Sequence, residues 1–260
     1  MYLSVNGIET FIATGGRAFD PALPAIVMLH GAGFDHSSWA LHSRWFAHHG
    51  HAVLAPDLPG HGRSSGAPLA SIAELADWTA TLIEQSGAPN AKLVGHSMGS
   101  LIALETAARH PAKVSALALI GTAAAMTVGP DLLKAAEAND HDAIDMVSIW
   151  GLGFHAELGG SLAPGVWMHG GAQRVLEAAG PGVLFGDLAA CNAYQNALAA
   201  AAQIKVPTTL ILGERDMMTP ARAGKALAAA LPNAHTVILP GAGHMMMAER
   251  PDEVLAALRR

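Results

Sequence analysis

Four short runs, "AIVMLH", "KLVG", "ALALIG" and "TTLILG", constrain the fold more than any other feature of this chain. A strand turns successive side chains to opposite faces, so a run that is apolar on both faces must be covered on both. Helices packed on the two sides of a parallel sheet supply that cover. The remaining pattern agrees. Strand candidates lie at 2–5, 8–14, 25–30, 52–55, 92–95, 114–120, 208–212 and 236–239, and helical candidates at 71–85, 98–109, 221–230 and 251–259 fall between them. Pro111 closes the second of these helices, and Pro251 suits the first turn of the last.

The alternation is interrupted once. From 123 to 203 no strand pattern occurs, only helical patches at 131–139, 141–150, 173–179 and 188–202, separated by breaks such as "GGSLAPG" at 159–165 and "GPGV" at 180–183. The expected organisation is one α/β core, 1–122 and 204–260, with a helical insertion at 123–203. A chain of 260 residues that is 51% hydrophobic can bury a core of that size. Charged residues are only 14% and the formal net charge is -6, so no basic footprint exists for nucleic acid or an anionic membrane. Cys191 is the single cysteine, which excludes an intrachain disulfide. The start, "MYLSVNGIET", lacks the basic and apolar regions of a signal peptide, and no apolar run approaches the ~18 residues of a membrane span. The expectation is a soluble, cytoplasmic protein, monomeric or a homodimer.

One segment breaks local rules together. In "KLVGHSMGSLIAL", Gly95-His96-Ser97-Met98-Gly99 matches G-x-S-x-G after a strand and before a helix. A sharp strand-to-helix turn needs small residues on each side of the serine, and it lifts the hydroxyl above the sheet. The bland alternative is a glycine-rich turn whose serine caps the helix. A serine nucleophile needs a base, and the base needs an orienting carboxylate. His244 lies in the glycine-rich loop "LPGAGHMMMAERP" between the last strand and the last helix. In "TTLILGERDMMTP", Asp216 falls in the turn beyond the strand, whereas Glu214 is placed to brace the loop. Gly31 and Gly33 of "MLHGAGFDHSSW" let that loop bend towards the nucleophile, and the backbone N–H groups of Ala32 and Met98 become the expected oxyanion donors.

These segments, with "PDLPGHGRSSG" between the first and second, together resemble the α/β-hydrolase family along nearly the whole chain. The resemblance implies a mostly parallel eight-stranded sheet, a helical cap inserted after the sixth strand, and an active site between them. It implies a Ser97–Asp216–His244 triad and ester hydrolysis through an acyl-enzyme, as in serine carboxylesterases and cofactor-free haloperoxidase-like enzymes, with no metal or organic cofactor. Ser97 excludes the branches with an aspartate nucleophile. Carbon–carbon bond hydrolases of ring-cleavage products often carry asparagine before the serine and tryptophan after the histidine, where this chain has His96 and Met245. That activity, and a ligand receptor that keeps the hydrolase pocket, are the alternatives.

The expected substrate is a small to medium apolar ester. Its pocket candidates are Phe34, Trp39 and Met245 from the core and Met146, Trp150, Trp167, Met168 and His169 from the insertion. "HHGH" (His48, His49, His51) has no H-E-x-x-H or cysteine partner and reads as a helix end, while His61 in "PGHGRS" reads as loop architecture.

Overall fold

The structure, a computed structural model, describes residues 1–162 and 167–260. Its strands are β1 (Tyr2–Val5), β2 (Ile8–Ala13), β3 (Ala25–Leu29), β4 (Ala52–Pro56), β5 (Ala91–His96), β6 (Val114–Ile120), β7 (Thr208–Gly213) and β8 (Ala234–Leu239). They form one eight-stranded sheet in the order β1-β2-β4-β3-β5-β6-β7-β8. The first two strands run antiparallel to their neighbours. From β4 to β8 every pairing is parallel. The core helices are α1 (Ala40–Ala47), α2 (Ile72–Gln85) and α3 (Met98–Arg109). Between β6 and β7 come α4 (Pro130–Glu137), α5 (His141–Trp150), α6 (Phe154–Glu157), α7 (Met168–Ala178), α8 (Val183–Ala193) and α9 (Ala197–Gln203). The chain closes with α10 (Ala221–Ala230), α11 (Met246–Glu249) and α12 (Pro251–Leu258).

The apolar runs do what their pattern requires. In β3, Ala25, Val27 and Leu29 enter the core beneath α2, α3, α9 and α10, while Ile26 and Met28 enter a second core with residues of α1, α11 and α12. Leu117 and Leu119 of β6, and Leu210 and Leu212 of β7, follow the first group; Ala118, Ile120 and Ile211 follow the second. The period of two divides one sequence run between two hydrophobic layers. Helix α2 starts where the chain offers a cap: the Ser71 side chain accepts from Glu74 N at 3.2 Å.

Helices α4 to α8 build a third core above the sheet's C-terminal edge, with Leu132, Val147, Met168, Leu176 and Leu188 among its buried residues. Two details differ from the sequence expectation. The single helix expected at 188–202 is two, α8 and α9, broken at Tyr194 in extended conformation. The cause is tertiary: Tyr194 Oη donates to the buried Glu105 of α3 at 2.6 Å, and Asn196 Nδ2 donates to the same carboxylate at 3.1 Å. Helix α7 begins five residues before the expected start, running through Gly170 and Gly171. A Cβ at Gly170 would strike the Trp167 ring, so packing explains a glycine that propensity alone argues against. The glycine-rich break at 159–165 lies partly outside the described residues. Among the described residues no helix is long and apolar enough to cross a membrane.

Leu101 is fully buried on α3, the helix that carries the site. Leu101→Ala is expected to cost about 2–5 kcal/mol by leaving a cavity in the larger core, read as a lowered urea midpoint with an unchanged m-value.

Candidate active site

Ser97 joins β5 to α3 in a backbone conformation, φ 53° and ψ -119°, that side-chain-bearing residues adopt only under constraint. The two glycines of the motif make that turn possible. A Cβ on Gly95 would collide with the carbonyl oxygen of Gly99, and a Cβ on Gly99 with the carbonyl oxygen of Leu29. The turn is fixed from outside as well: Ser97 N donates to Ile120 O at 2.9 Å, and the Ser97 carbonyl accepts from Ser100 N at 2.8 Å and Ser100 Oγ at 2.6 Å.

The Gly31-Ala32-Gly33 loop leaves β3 beside this turn. A Cβ built on Gly31 would sit 3.1 Å from His96 Nδ1 and 3.3 Å from Ser97 Cβ, so the loop backbone lies against the serine. Phe34 N donates to Gly31 O at 3.2 Å and Gly33 N donates to Asp187 Oδ2 at 2.8 Å. Between them, Ala32 N–H makes no hydrogen bond among the described residues. The first N–H groups of α3, Met98 at their head, have no acceptor within their own helix.

His244 Nδ1 donates to Asp216 Oδ2 at 2.8 Å. The same oxygen accepts from Thr219 Oγ1 at 2.8 Å, and Oδ1 accepts from Met218 N at 2.9 Å and Thr219 N at 2.7 Å. Burial works against charge on Asp216, but His244 and the Thr219 donors outweigh it and hold the carboxyl below its ordinary range. With Nδ1 committed to Asp216, Nε2 is the remaining ring nitrogen of His244; it is buried and has no hydrogen-bond partner among the described residues. Thr219 was not expected from the sequence, although a threonine three residues after an acid is an ordinary way to saturate a carboxylate. Glu214 accepts from Gly241 N at 2.9 Å and so braces the histidine loop.

Several histidines around the site are framework. His96 is buried; its Nε2 donates to the His244 carbonyl at 2.9 Å and its ring lies 4.7 Å from the His244 ring. Burial, and then the neighbouring His244, push its pKa down to about 3. His30 donates from Nδ1 to Gly31 O at 2.9 Å and accepts from Leu58 N on Nε2 at 3.1 Å, and burial lowers its pKa to about 4. In "HHGH", His49 stacks on Trp45 and donates to Trp45 O at 2.6 Å, and His51 Nδ1 lies 3.1 Å from the His49 carbonyl.

Ser97 and His244 open onto one cavity of about 330 Å³. Of the expected pocket residues, Phe34, Trp150 and Met245 line it. Five do not. Trp39 is fully buried in the core beside α1, because its ring is needed to fill that layer. Met146 packs into the internal core of the insertion. Trp167 and Met168 line a neighbouring cavity of about 360 Å³, which shares Phe34 and Met245 with the first, and His169 lies edge-on to Trp167. The sequence reading missed Val128, Leu132, Leu184 and Leu188 of the insertion and Met217 and Met218 beside the acid. Nothing marks them in the sequence: Leu132, Leu184 and Leu188 follow the same apolar helical pattern as core residues, and Val128, Met217 and Met218 are apolar residues of loops. Among the described residues, no Lys, Arg, Asp or Glu lines this cavity.

Residues 26–257 match the family model described as "Alpha/beta hydrolase family". The chain is 31% identical to a pimeloyl-[acyl-carrier protein] methyl ester esterase of Chromobacterium violaceum, over 96% of this chain and 97% of that protein. Among solved structures it is similar to the enol-lactonase of Burkholderia xenovorans LB400, with TM-score 0.88 and 27% identity over 100% of this chain and 98% of that one. It is also similar to a thermophilic esterase, with TM-score 0.80 and 26% identity over 100% and 95% of the two chains.

The two neutral histidines make the fold acid-sensitive. Below pH 6.5 an unfolded chain protonates these positions, while the folded chain stays neutral until about pH 4 at His30 and about pH 3 at His96. The unfolded state therefore binds more protons, and as pH is lowered stability is lost by up to about 1.4 kcal/mol per unit for each histidine. Urea unfolding between pH 6.5 and pH 4 is expected to show this fall, with a shallower slope in His96→Gln; an equal slope would clear His96 of the effect.

The eight-stranded sheet in parallel order from β4 onwards, the serine turn at its edge and the match across residues 26–257 have one account: this chain belongs to the alpha/beta hydrolase family.

Proposed function

We propose that this protein hydrolyses small to medium carboxylic esters of apolar acids, with Ser97 as nucleophile, His244 as general base and acid, and Asp216 as the orienting carboxylate. The observation that carries this reading is the arrangement at His244. Its Nδ1–H is held by Asp216 at 2.8 Å, while its ring shares with Ser97 a cavity that has no charged side chain among the described residues.

In this reading Ser97 Oγ attacks the ester carbonyl carbon as His244 Nε2 takes the hydroxyl proton. The carbonyl π pair moves onto oxygen, which the N–H groups of Ala32 and Met98 receive as an anion. Collapse of the tetrahedral centre breaks the bond to the alkoxy group, and His244 returns its proton to make the alcohol. Water then attacks the acyl-serine, gives its proton to the same histidine, and the second collapse restores Ser97 and frees the acid. Asp216 stabilises the imidazolium that forms in each half-reaction. The chemistry asks for no metal or organic cofactor.

The substrate range follows from the cavity. Leu132, Val147, Leu184 and Leu188 offer an acyl chain only apolar contact. A carboxylate at the far end of that chain would lose its water and gain no cation. The named relatives act on a methyl ester carried by a protein and on an enol-lactone. A simple alkyl ester and a lactone, which is a cyclic ester, present the same reacting carbonyl. The preferred form is a neutral ester of a monocarboxylic acid.

Two measurements test this. Turnover of p-nitrophenyl acetate, butyrate and octanoate is expected from the wild type and abolished in Ser97→Ala, while Asp216→Asn loses about 10⁴-fold in kcat. Equal turnover in Ser97→Ala would remove the serine from the mechanism, and inactivity of folded wild type would favour carbon–carbon cleavage or a receptor. Methyl hexanoate is expected to exceed monomethyl adipate at least about 10-fold in kcat/KM, by the cost of burying an unpaired carboxylate. The reverse order would overturn the apolar-acid assignment.

A further inference from the structure

Asp187 stands outside the proposed triad, on α8 of the insertion, and only 1% of it is exposed. Its Oδ2 accepts from two donors in the core: Gly33 N at 2.8 Å and His61 Nε2 at 2.8 Å. His61 is itself buried, and its other nitrogen, Nδ1, lies 3.0 Å from the carbonyl oxygen of Pro59. An imidazole with an acceptor on each nitrogen makes both bonds only as the imidazolium. Burial opposes that charge, but the hydrogen bond and charge of Asp187 outweigh it and raise the His61 pKa. The other ionisable groups near the pair are His30, 5.0 Å away ring to ring, Asp57, and the Cys191 thiol one turn along α8. His30 is held neutral and Cys191 is pushed far up by burial, so neither competes for the charge.

What this pair holds is the loop that offers Ala32 N–H. Two peptide planes flank the Ala32 Cα. In the first, Gly31 O accepts from His30 Nδ1 at 2.9 Å and from Phe34 N at 3.2 Å. A trans peptide directs its N–H opposite to its carbonyl, so these bonds set the direction of Ala32 N–H. In the second plane Gly33 N–H is tied to Asp187. Gly33 needs that restraint, for its φ of +71° is open to glycine at little cost and imposes no direction by itself. The side chains of Leu176 and Leu184, also from the insertion, close over Gly33 so tightly that a Cβ there would strike them.

We propose that Asp187, with His61 as its buried counter-ion, is a positioning residue for the oxyanion donor at Ala32, so that the helical insertion completes the catalytic geometry as well as enclosing the substrate. This rests on the esterase reading above. The Asp187 carboxylate touches no reacting atom; it acts through Gly33 and the peptide that follows Ala32. A charge-assisted bond from a buried carboxylate is suited to the task, because it is short, strong and has no water to exchange with.

The test uses the full-length protein and p-nitrophenyl butyrate. Asp187→Asn keeps the shape and removes the charge. It is expected to lower kcat by about 10- to 100-fold, since displacement of a donor by a fraction of an ångström is costly, and to change KM less than about twofold. The affinity for an alkyl trifluoromethyl ketone, whose hydrate-like adduct places an anion on the same donors, is expected to fall by the same factor as kcat/KM. A merely structural role would lower Tm and leave both the kcat-to-KM split and the inhibitor affinity of the folded fraction in place; that result overturns the proposal. Should Asp187→Asn fail to fold, His61→Gln removes the counter-ion from the core side. A smaller loss in kcat at constant KM is expected there, and an unchanged kcat overturns the proposal. Ser97→Ala separates the two readings. If it retains turnover, the esterase reading falls; if it is inactive while Asp187→Asn matches wild type, only the positioning role falls.

Discussion

The backbone of Ser97 is held where a non-glycine residue costs about 1–3 kcal/mol, and the surrounding structure is arranged to impose that cost. Strand β5 arrives between β3 and β6, paired on both edges, so its end cannot shift. Helix α3 departs at once, its first turn pressed onto the carbonyl oxygens at the end of β3 through Gly99. A helix that close to a strand can be reached only through a turn as sharp as this one. At the end of that turn Ser97 lines the cavity. The hydrophobic layers on the two sheet faces are therefore what holds the site's most strained residue in place.

The insertion is joined to that core at the loops that carry His244 and Gly33. Gly151 O, at the end of α5, accepts from His244 N at 2.9 Å and Met245 N at 2.8 Å. Glu249 accepts from Gly243 N of the histidine loop and from Gly153 N of the insertion. Burial pushes its carboxyl up, and the N–H donors oppose that. On the opposite side Asp187 reaches the Gly33 loop and His61. The histidine loop and the Gly31–Gly33 loop each owe part of their conformation to residues that lie between β6 and β7. Helices α4 to α8 thus meet the core through two buried polar seams, and apolar side chains of the insertion line the cavity.

The buried histidines divide by partner. His30 and His96 face groups that a neutral ring satisfies, and burial keeps them neutral. His61 faces a carboxylate on one nitrogen and a carbonyl on the other, and its charged form is favoured. The same residue type therefore titrates in opposite directions at these positions: burial lowers His30 and His96, and at His61 the carboxylate partner outweighs burial.

Much of the fold was legible beforehand because it depends on local chemistry. Runs apolar on both faces allow few architectures, Pro111 and Pro251 punctuate helices wherever they occur, and a serine between glycines after a strand has one economical use. Those signals located the sheet, the order of its elements, and the segments that bring Ser97, Asp216 and His244 to one edge. What only the tertiary structure decided are contacts between residues far apart in sequence: Tyr194 and Asn196 breaking a helix to reach Glu105, Trp39 filling a core layer instead of the cavity, Thr219 saturating Asp216, and Asp187 crossing to Gly33. An apolar residue on an amphipathic helix reads the same whether it meets a neighbouring helix or a substrate, and a lone aspartate reads the same whether it meets water or a buried N–H. The sequence determines which side chains are available and which face they take; the partner each one meets is set by packing, where the cost of leaving a buried polar group unpaired selects one arrangement.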